Sequence, residues 1–482
     1  MATGRRLVAG ASWTYGAQLT IVMLQFAYAA VTSRVLDSAA FGAYAIALSV
    51  TSLIMLLSTG GLGQAVGRMH EVLPGRIAAL STYALILGAA GAGFTYFTAP
   101  LWTLLWDAPE ALGTVQLFSV SAFFAPALGL VQGLCQRSGK FRQLATVSVV
   151  SNAAGMVVGV GAVLAWHSTE SLAIFPLVAQ VLTMVIGWSL VRDVARGFGR
   201  LSDAGADVAF SWRLTVASVM AYAVGNIPRI GASRVLGVAV LGQWNRAEVL
   251  SSVPFQQVQA ALISTVYPEF RHDLGDTTRA QRVWSDLLAM VAWLALPAAA
   301  VAAVVVPVLV PLIFGPGWEM AAAIAPLLCI AGALQIVSTL LASAVEALGR
   351  FAWVWLTQAV LIALQVAVVL VLIRFPSIWT VVVALIVTNV VRHAAHIWLC
   401  ARAGYVSVVR LLRAYGLVVL ASIAVAALTW LVLYLFRAAI EQSWAWSIAA
   451  IAVLGLCSAV LWLFRDKLPP VVLARRYGIL PS

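Results

Sequence analysis

Long runs of apolar residues alternate with short polar segments along the whole chain. Leu294–Leu312 and Leu417–Phe436 each pass without a single charged side chain. A helix needs about 20 mostly apolar residues to cross a bilayer. Barrel strands would alternate apolar and polar positions, because successive side chains face lipid and lumen in turn. The continuous runs therefore predict helices. Fourteen spans are expected: 10–31, 41–66, 77–98, 112–134, 144–166, 171–191, 212–232, 246–267, 287–313, 321–344, 353–374, 377–400, 412–436 and 444–464. The fold class predicted is an all-α polytopic membrane protein with about 14 transmembrane helices.

Charge tests the span count. With the N-terminus inside, the 29 Lys and Arg residues sort so that only Arg34, Arg229, Arg234, Arg246, Arg374 and Arg437 fall outside. Positive residues collect on the cytoplasmic side of membrane proteins. A missed helix would scramble this sorting from that point onward, so both termini are expected in the cytoplasm.

The chain also repeats itself. Residues 33–50 (SRVLDSAAFGAYAIALSV) and 233–250 (SRVLGVAVLGQWNRAEVL) share Ser33/Ser233, Arg34/Arg234, Val35/Val235, Leu36/Leu236, Ala39/Ala239, Gly42/Gly242 and Ala47/Ala247. A second pair, Gly139-Lys140-Phe141 and Gly349-Arg350-Phe351, falls at the ends of spans 4 and 10. Six spans separate the copies in each case. Six is even, so the halves are parallel repeats about an axis along the membrane normal, and substrate sites lie between such halves. The expected domains are residues 1–200 and 201–403, each a six-helix bundle, and 404–482, two extra helices with a cytoplasmic tail.

Composition narrows the picture further. Hydrophobic residues make up 63% and charged residues 10% of the chain, against about 45–50% and about 25% in soluble domains. The net charge of +12 is mostly the topology signal, with some attraction to anionic lipid. Basic residues form no continuous patch, so nucleic acid is not an expected partner. The hydrophilic stretches 192–211 and 268–286 are too short for a soluble domain, which argues against an ectodomain receptor or a built-in nucleotide-driven motor. Cys135, Cys329, Cys400 and Cys457 are scattered and suggest neither disulfides nor a metal cluster. No Walker A, HExxH or GxSxG pattern occurs. An enzyme is not expected, nor a cofactor, nor a metal.

Some polar residues stand out within the spans. Asn226, Arg229 and Arg234 fall on the outer half of span 7, and Asn245, Arg246 and Glu248 on the first turns of span 8. An Arg in hydrocarbon costs about 2.5–3.5 kcal/mol on insertion scales and normally faces a cavity or a partner. The first copy carries Ile46 and Leu48 where the second carries Arg246 and Glu248. Arg229 and Arg246 are expected in a cavity, while Arg34, Arg234, Arg374 and Arg437 suit snorkelling to the interface. Pro228 is expected to kink span 7 beside Arg229 and to serve a gate. His393 and His396 share a helix face with Arg392 beside them, a pattern of an interfacial or bundle-facing polar cluster. The glycines Gly61, Gly63, Gly67, Gly129, Gly133, Gly155 and Gly159 suit close helix contacts. Asp107 and Glu110 suit a solvated outer loop.

The stretch SRVLDSAAFGAYAIALSVTSLIMLLSTGGLGQAVGR (33–68) resembles the N-terminal signature of the polysaccharide flippases, and EALGRF (346–351) resembles its second-half counterpart. These are the Wzx-type branch of the multidrug/oligosaccharidyl-lipid/polysaccharide exporter superfamily. The resemblance implies two six-helix lobes around a cationic cavity. It implies translocation of an undecaprenyl-diphosphate-linked oligosaccharide across the bacterial cytoplasmic (inner) membrane for O-antigen or exopolysaccharide synthesis. Arg34 and Arg68 match its arginines. Membrane lipids, a polysaccharide polymerase and glycosyltransferases would be its surroundings. Three other readings stay open: a lipid II flippase, a drug/cation antiporter of the same superfamily, and a membrane-embedded glycosyltransferase or polymerase. An antiporter needs an intramembrane acid, for which Asp37, Glu248 and Glu346 are weak candidates. A glycosyltransferase usually needs a large outer loop, which this chain lacks.

Overall fold

A computed structural model describes residues 2–440, less positions 60, 61, 64, 65, 67, 68, 70–72, 194–196, 202–204, 257, 258, 260–269 and 271–275. Among the described residues every regular element is helical. The order is α1 (Ala2–Thr32), α2 (Ser38–Thr59), α3 (Pro74–Trp106), α4 (Leu112–Leu117), α5 (Ser119–Arg137), α6 (Phe141–Trp166), α7 (Ser171–Val191), α8 (Gly205–Leu236), α9 (Val238–Ser251), α10 (Thr277–Phe314), α11 (Glu319–Ala347), α12 (Phe351–Arg374), α13 (Ile378–Arg402) and α14 (Val408–Ile440).

Ten stretches among the described residues are long and apolar enough to cross a membrane. They are α2, α3, α4 with α5, α6, α7 and α10 to α14. Helix α1 adds the shorter apolar stretch Gly16–Thr32. Helix α8 stands where span 7 was expected, and α9 reaches only the first residues of span 8, of which 257, 258 and 260–267 lie outside the described residues. The expected span 14, Cys457 and Arg68 lie outside the described residues. The protein is an all-α polytopic membrane protein.

Several boundaries differ from the hydropathy reading. Helix α3 runs to Trp106 rather than 98, and α10 begins at Thr277 rather than 287. The helix runs on through Pro100 in the first case and through the polar residues 277–286 in the second. Asp276 caps α10, its carboxylate accepting from the Arg279 N–H at 2.9 Å, and the first turns then carry Arg279 and Arg282. Helix α9 begins at Val238, not 246, so Asn245, Arg246 and Glu248 sit beyond its second turn rather than on its first. Its first residues, Val238 to Leu241, are apolar and continue the helix that the polar stretch Gln243–Glu248 had masked. Prolines 100, 126, 176, 228, 297, 307, 311 and 326 all lie inside helices. Membrane helices tolerate them where neighbours satisfy the freed backbone groups.

By its contacts the chain divides into residues 1–245 with 369–378, and residues 246–368 with 379–482. In the first unit α3, α5 and α7 enclose, with residues that follow α2, a core of Leu62, Val66, Ile77, Leu80, Leu130 and Leu134. The glycines set the closest approaches. A Cβ on Gly133 would fall 2.9 Å from the Gly63 carbonyl oxygen, and one on Gly155 2.7 Å from that of Phe175. Without a hydrophobic drive between helices in lipid, such backbone contact supplies the dispersion energy that holds them together. Outward positions are large and apolar, as at Phe97, Leu104 and Val157.

In the second unit α10 packs on α11 and α14. Near the start of α10, Trp284 stacks on Tyr405 at 5.0 Å and meets Phe270 edge-on at 4.9 Å. Buried Asp286 pairs with Arg410 of α14 at 3.3 Å. The Ser407 N–H donates to Ser285 at 3.3 Å, closing the same corner.

The two GKF/GRF turns match in conformation as well as in sequence. Gly139 has φ +67° and Gly349 has φ +68°. Each ends a helix in the left-handed region, where a residue without a Cβ is unstrained. Lys140 then donates to the Leu190 carbonyl, while Arg350 lies over the Trp353 ring at 4.3 Å.

Candidate functional site

The repeated SRVL elements both lie in the first unit. In the second copy, Ser233 donates to the Trp106 carbonyl at 2.7 Å and Arg234 to the Leu105 carbonyl at 3.2 Å. These are terminal carbonyls of α3, which have no partner within their own helix. The negative end of the α3 dipole also favours the guanidinium. Arg234 and Arg34 are exposed. Ser33 and Ser233 are both buried.

The copies differ at the turn that follows. Asp37 caps α2, accepting from the Ala40 N–H at 2.9 Å. Gly237 at the equivalent place adopts φ +91° instead. Both turns start a helix one residue later, at Ser38 and Val238. The duplication thus preserves helix register with two different turn chemistries.

Arg229 lies on the last turns of α8, half-buried, with its guanidinium carbon 5.6 Å from the centre of the Trp244 ring. A cation over an indole face gains electrostatic attraction, more so where water is scarce. One turn earlier on α8, Asn226 donates to the Tyr222 carbonyl at 3.0 Å, and its own buried Oδ1 has no partner. The Tyr222 hydroxyl donates to the Ser49 carbonyl of α2. Pro228 is buried inside α8, between Asn226 and Arg229. Tyr222, Asn226 and Arg229 therefore share one face of α8, with Arg229 lying over Trp244.

Arg246 belongs to the second unit. It is 5% exposed, and its guanidinium carbon lies 5.8 Å from the Phe314 ring centre. Asn245 and Glu248 flank it, both half-buried. The structure thus brings Asn226 and Arg229 together, sets Arg234 on the end of α3, and buries Arg246 against an aromatic ring. Arg68 lies outside the described residues. Sequence reading did not single out Tyr222, Trp244 or Phe314. Trp244 had a visible signal, since it replaces Tyr44 in the repeat. Tyr222 and Phe314 had none, because their importance comes from helices distant in sequence.

Among the described residues no group of three or more His, Cys, Asp or Glu side chains is placed to hold a metal ion. Cys135, Cys329 and Cys400 are buried free thiols. Arranged guanidinium groups beside aromatic rings suit recognition of an anion such as a phosphate, which an arginine can bind through two parallel N–H donors.

The sequence pattern of the family described as "Polysaccharide biosynthesis protein" matches residues 31–323, more than half of the chain. The chain is 23% identical to the lipopolysaccharide biosynthesis protein WzxC of Escherichia coli K12 over 364 residues, 73% of this chain and 72% of that one. It is 26% identical to the succinoglycan biosynthesis transport protein ExoT of Rhizobium meliloti 1021 over 257 residues, 53% of this chain and 52% of that one. Among solved structures it is similar to the lipid II flippase MurJ in an inward closed conformation, with TM-score 0.65 and 10% identity over 94% of this chain and 98% of that one. At that identity the likeness is one of fold. The chain belongs to the polysaccharide biosynthesis protein family.

Proposed function

We propose that this member of the polysaccharide biosynthesis family is a flippase. It carries an undecaprenyl-diphosphate-linked oligosaccharide from the inner to the outer leaflet of the bacterial cytoplasmic membrane by alternating access. The observation that carries the reading is the family match across residues 31–323, supported by relatives whose names place them in lipopolysaccharide biosynthesis and succinoglycan transport. The finer architecture belongs to the same proposal. It has fourteen spans, both termini in the cytoplasm, and two bundles at 1–200 and 201–403 followed by 404–482.

The chemistry fits. A sugar diphosphate head is too polar to enter hydrocarbon, whereas its prenyl tail is soluble there. Transport then requires only a path that replaces water around the head. Arg229 and Arg246 serve the diphosphate or acidic sugars in this reading, with Asn226 and Asn245 as neutral partners. Arg34, Arg68 and Arg234 attract the head at the membrane faces, and Pro228 supplies the bend of a gate. Arg229 and Arg246 are each partly ordered by an aromatic ring and Arg234 by a backbone carbonyl, which lowers the entropy lost on binding.

The test is complementation. Expression in a strain lacking its own exopolysaccharide flippase should restore surface polymer. Expression in a strain depleted of its lipid II flippase should not restore growth. Rescue of the second strain alone would replace this reading with peptidoglycan precursor transport.

A further inference from the structure

Helix α13 carries three polar residues that the transport reading does not use: Arg392, His393 and His396. The helix is long and apolar enough to span the bilayer. His393 Nε2 lies 2.9 Å from the Tyr415 hydroxyl of α14, with the two rings 5.6 Å apart. His396 is 4% exposed and is hydrogen-bonded to the Ser338 backbone of α11. In both imidazoles Nδ1 is buried and has no partner, and the same holds for Nε of Arg392.

Buried polar atoms are nearly always paired, and each exception asks for an explanation. If these side chains served only to hold helices together, apolar residues of similar volume would do it at lower cost. Two imidazoles that each leave one nitrogen bare on the same helix face are a different arrangement. In either tautomer a neutral imidazole keeps one nitrogen lone pair, which is where it takes up a proton. A metal ion does not explain them, because no third His, Cys, Asp or Glu ligand stands nearby among the described residues.

The surroundings decide how such a proton behaves. On α13 the charged neighbour is Arg392, one residue from His393. From α14 the facing titratable group is Tyr415. From α11 the facing group is the Ser338 backbone, with Cys329 and Glu346 more than two turns away along that helix. From α12, Gln365 donates to Thr388 at 2.8 Å, one turn before Arg392, and is not titratable. No carboxylate faces the pair among the described residues. A proton on either imidazole therefore sets a second positive charge beside Arg392 with no anion to offset it. That favours any packing of α13 that opens the cluster to water.

We infer that the His393–His396 pair, with Arg392 and Tyr415, is a proton-binding site whose occupancy shifts the packing of α13 and so couples transport to the proton gradient. The coupling half rests on the flippase reading; the proton-binding half does not.

The full-length protein, labelled with 15N-histidine and reconstituted in lipid nanodiscs, is titrated from about pH 3 to about pH 8 while its imidazole signals are followed by NMR. His393→Gln and His396→Gln assign the two signals. One proton should enter the pair at the acid end of that range, because the like charge of Arg392 opposes it, and Arg392→Ala should raise its affinity about tenfold or more. Two imidazoles that keep one protonation state throughout would overturn the site, whatever the substrate. In cells, the His393→Gln/His396→Gln double variant should reach the membrane normally but lose the part of polymer export that a protonophore abolishes. Export equally sensitive to the protonophore in wild type and double variant would overturn the coupling while leaving the flippase reading intact.

Discussion

Gly42 and Gly242 occupy equivalent places in the repeat and meet in the first unit by reciprocal contacts. A Cβ on Gly42 would fall 1.9 Å from the carbonyl oxygen of Val238, and a Cβ on Gly242 would fall 1.8 Å from that of Ser38. The partners are related by the same offset as the glycines themselves. Two copies that exchange places in this way are what a local two-fold axis produces. Helices α2 and α9 therefore cross backbone to backbone near their first turns. The FG element of the repeat is retained in part because nothing larger than hydrogen fits there.

Gly42→Ala and Gly242→Ala should each destabilise the protein by about 1–3 kcal/mol, because the obstructing atoms are backbone and have no rotamer to adopt. The two effects should not add, since one contact is lost in both. Gly161→Ala is the control. It lies in a helix with nothing within 4 Å of the new methyl, and helix propensity predicts a neutral or slightly stabilising change. Thermal unfolding of the detergent-solubilised variants reads all three. A Gly242→Ala protein as stable as wild type would contradict the contact.

The matched turns make a second test. Gly139→Ala and Gly349→Ala place a Cβ on left-handed backbone, at a cost of about 1–2 kcal/mol each. Both positions have open space around them, so the penalty is conformational rather than steric. Asparagine, which tolerates that region, should recover part of the loss in the same unfolding measurement. Equal losses for Ala and Asn would point instead to crowding.

Transport should respond to the arginines in a graded way. Arg229→Ala and Arg246→Ala are expected to lower polymer export about tenfold or more with membrane abundance unchanged. The lysine variants should fall between, because an ammonium keeps the charge but not the fork that binds two oxygens. Arg374→Ala serves as comparison. Its guanidinium lies over Phe375 at 5.3 Å at the end of α12, and export should be near normal. Unimpaired export by both alanine variants would remove Arg229 and Arg246 from the site.

The Asp286–Arg410 pair joins α10 to α14 with one end buried and the other exposed. Arg410→Ala leaves the Asp286 carboxylate buried without this cation and should cost about 1–3 kcal/mol. The Asp286→Ala/Arg410→Ala double variant should be no less stable than Arg410→Ala, since the stranded charge is gone. Urea or thermal unfolding of the solubilised variants decides it. A double variant clearly weaker than the single would show that Asp286 has a further stabilising role.

Sequence by itself determined the class of protein. The apolar runs are long because lipid leaves the backbone no partner but its own helix, and that constraint acts residue by residue. The repeat offset was equally legible, and helix starts at Ser38 and Val238 follow it to the residue. The glycines at positions 63, 133, 155 and 159 could be read as contact points, but not which faced which. Hydropathy misplaced the start of α9 because it averages over polar side chains that a helix simply carries along. Only the tertiary structure decided that Arg229 lies over Trp244, that Tyr222 reaches Ser49, and that Gly42 and Gly242 touch. These are contacts between side chains or backbones brought together from different helices. Their energies depend on distances of a few ångströms, which no local pattern of hydrophobic and polar residues encodes.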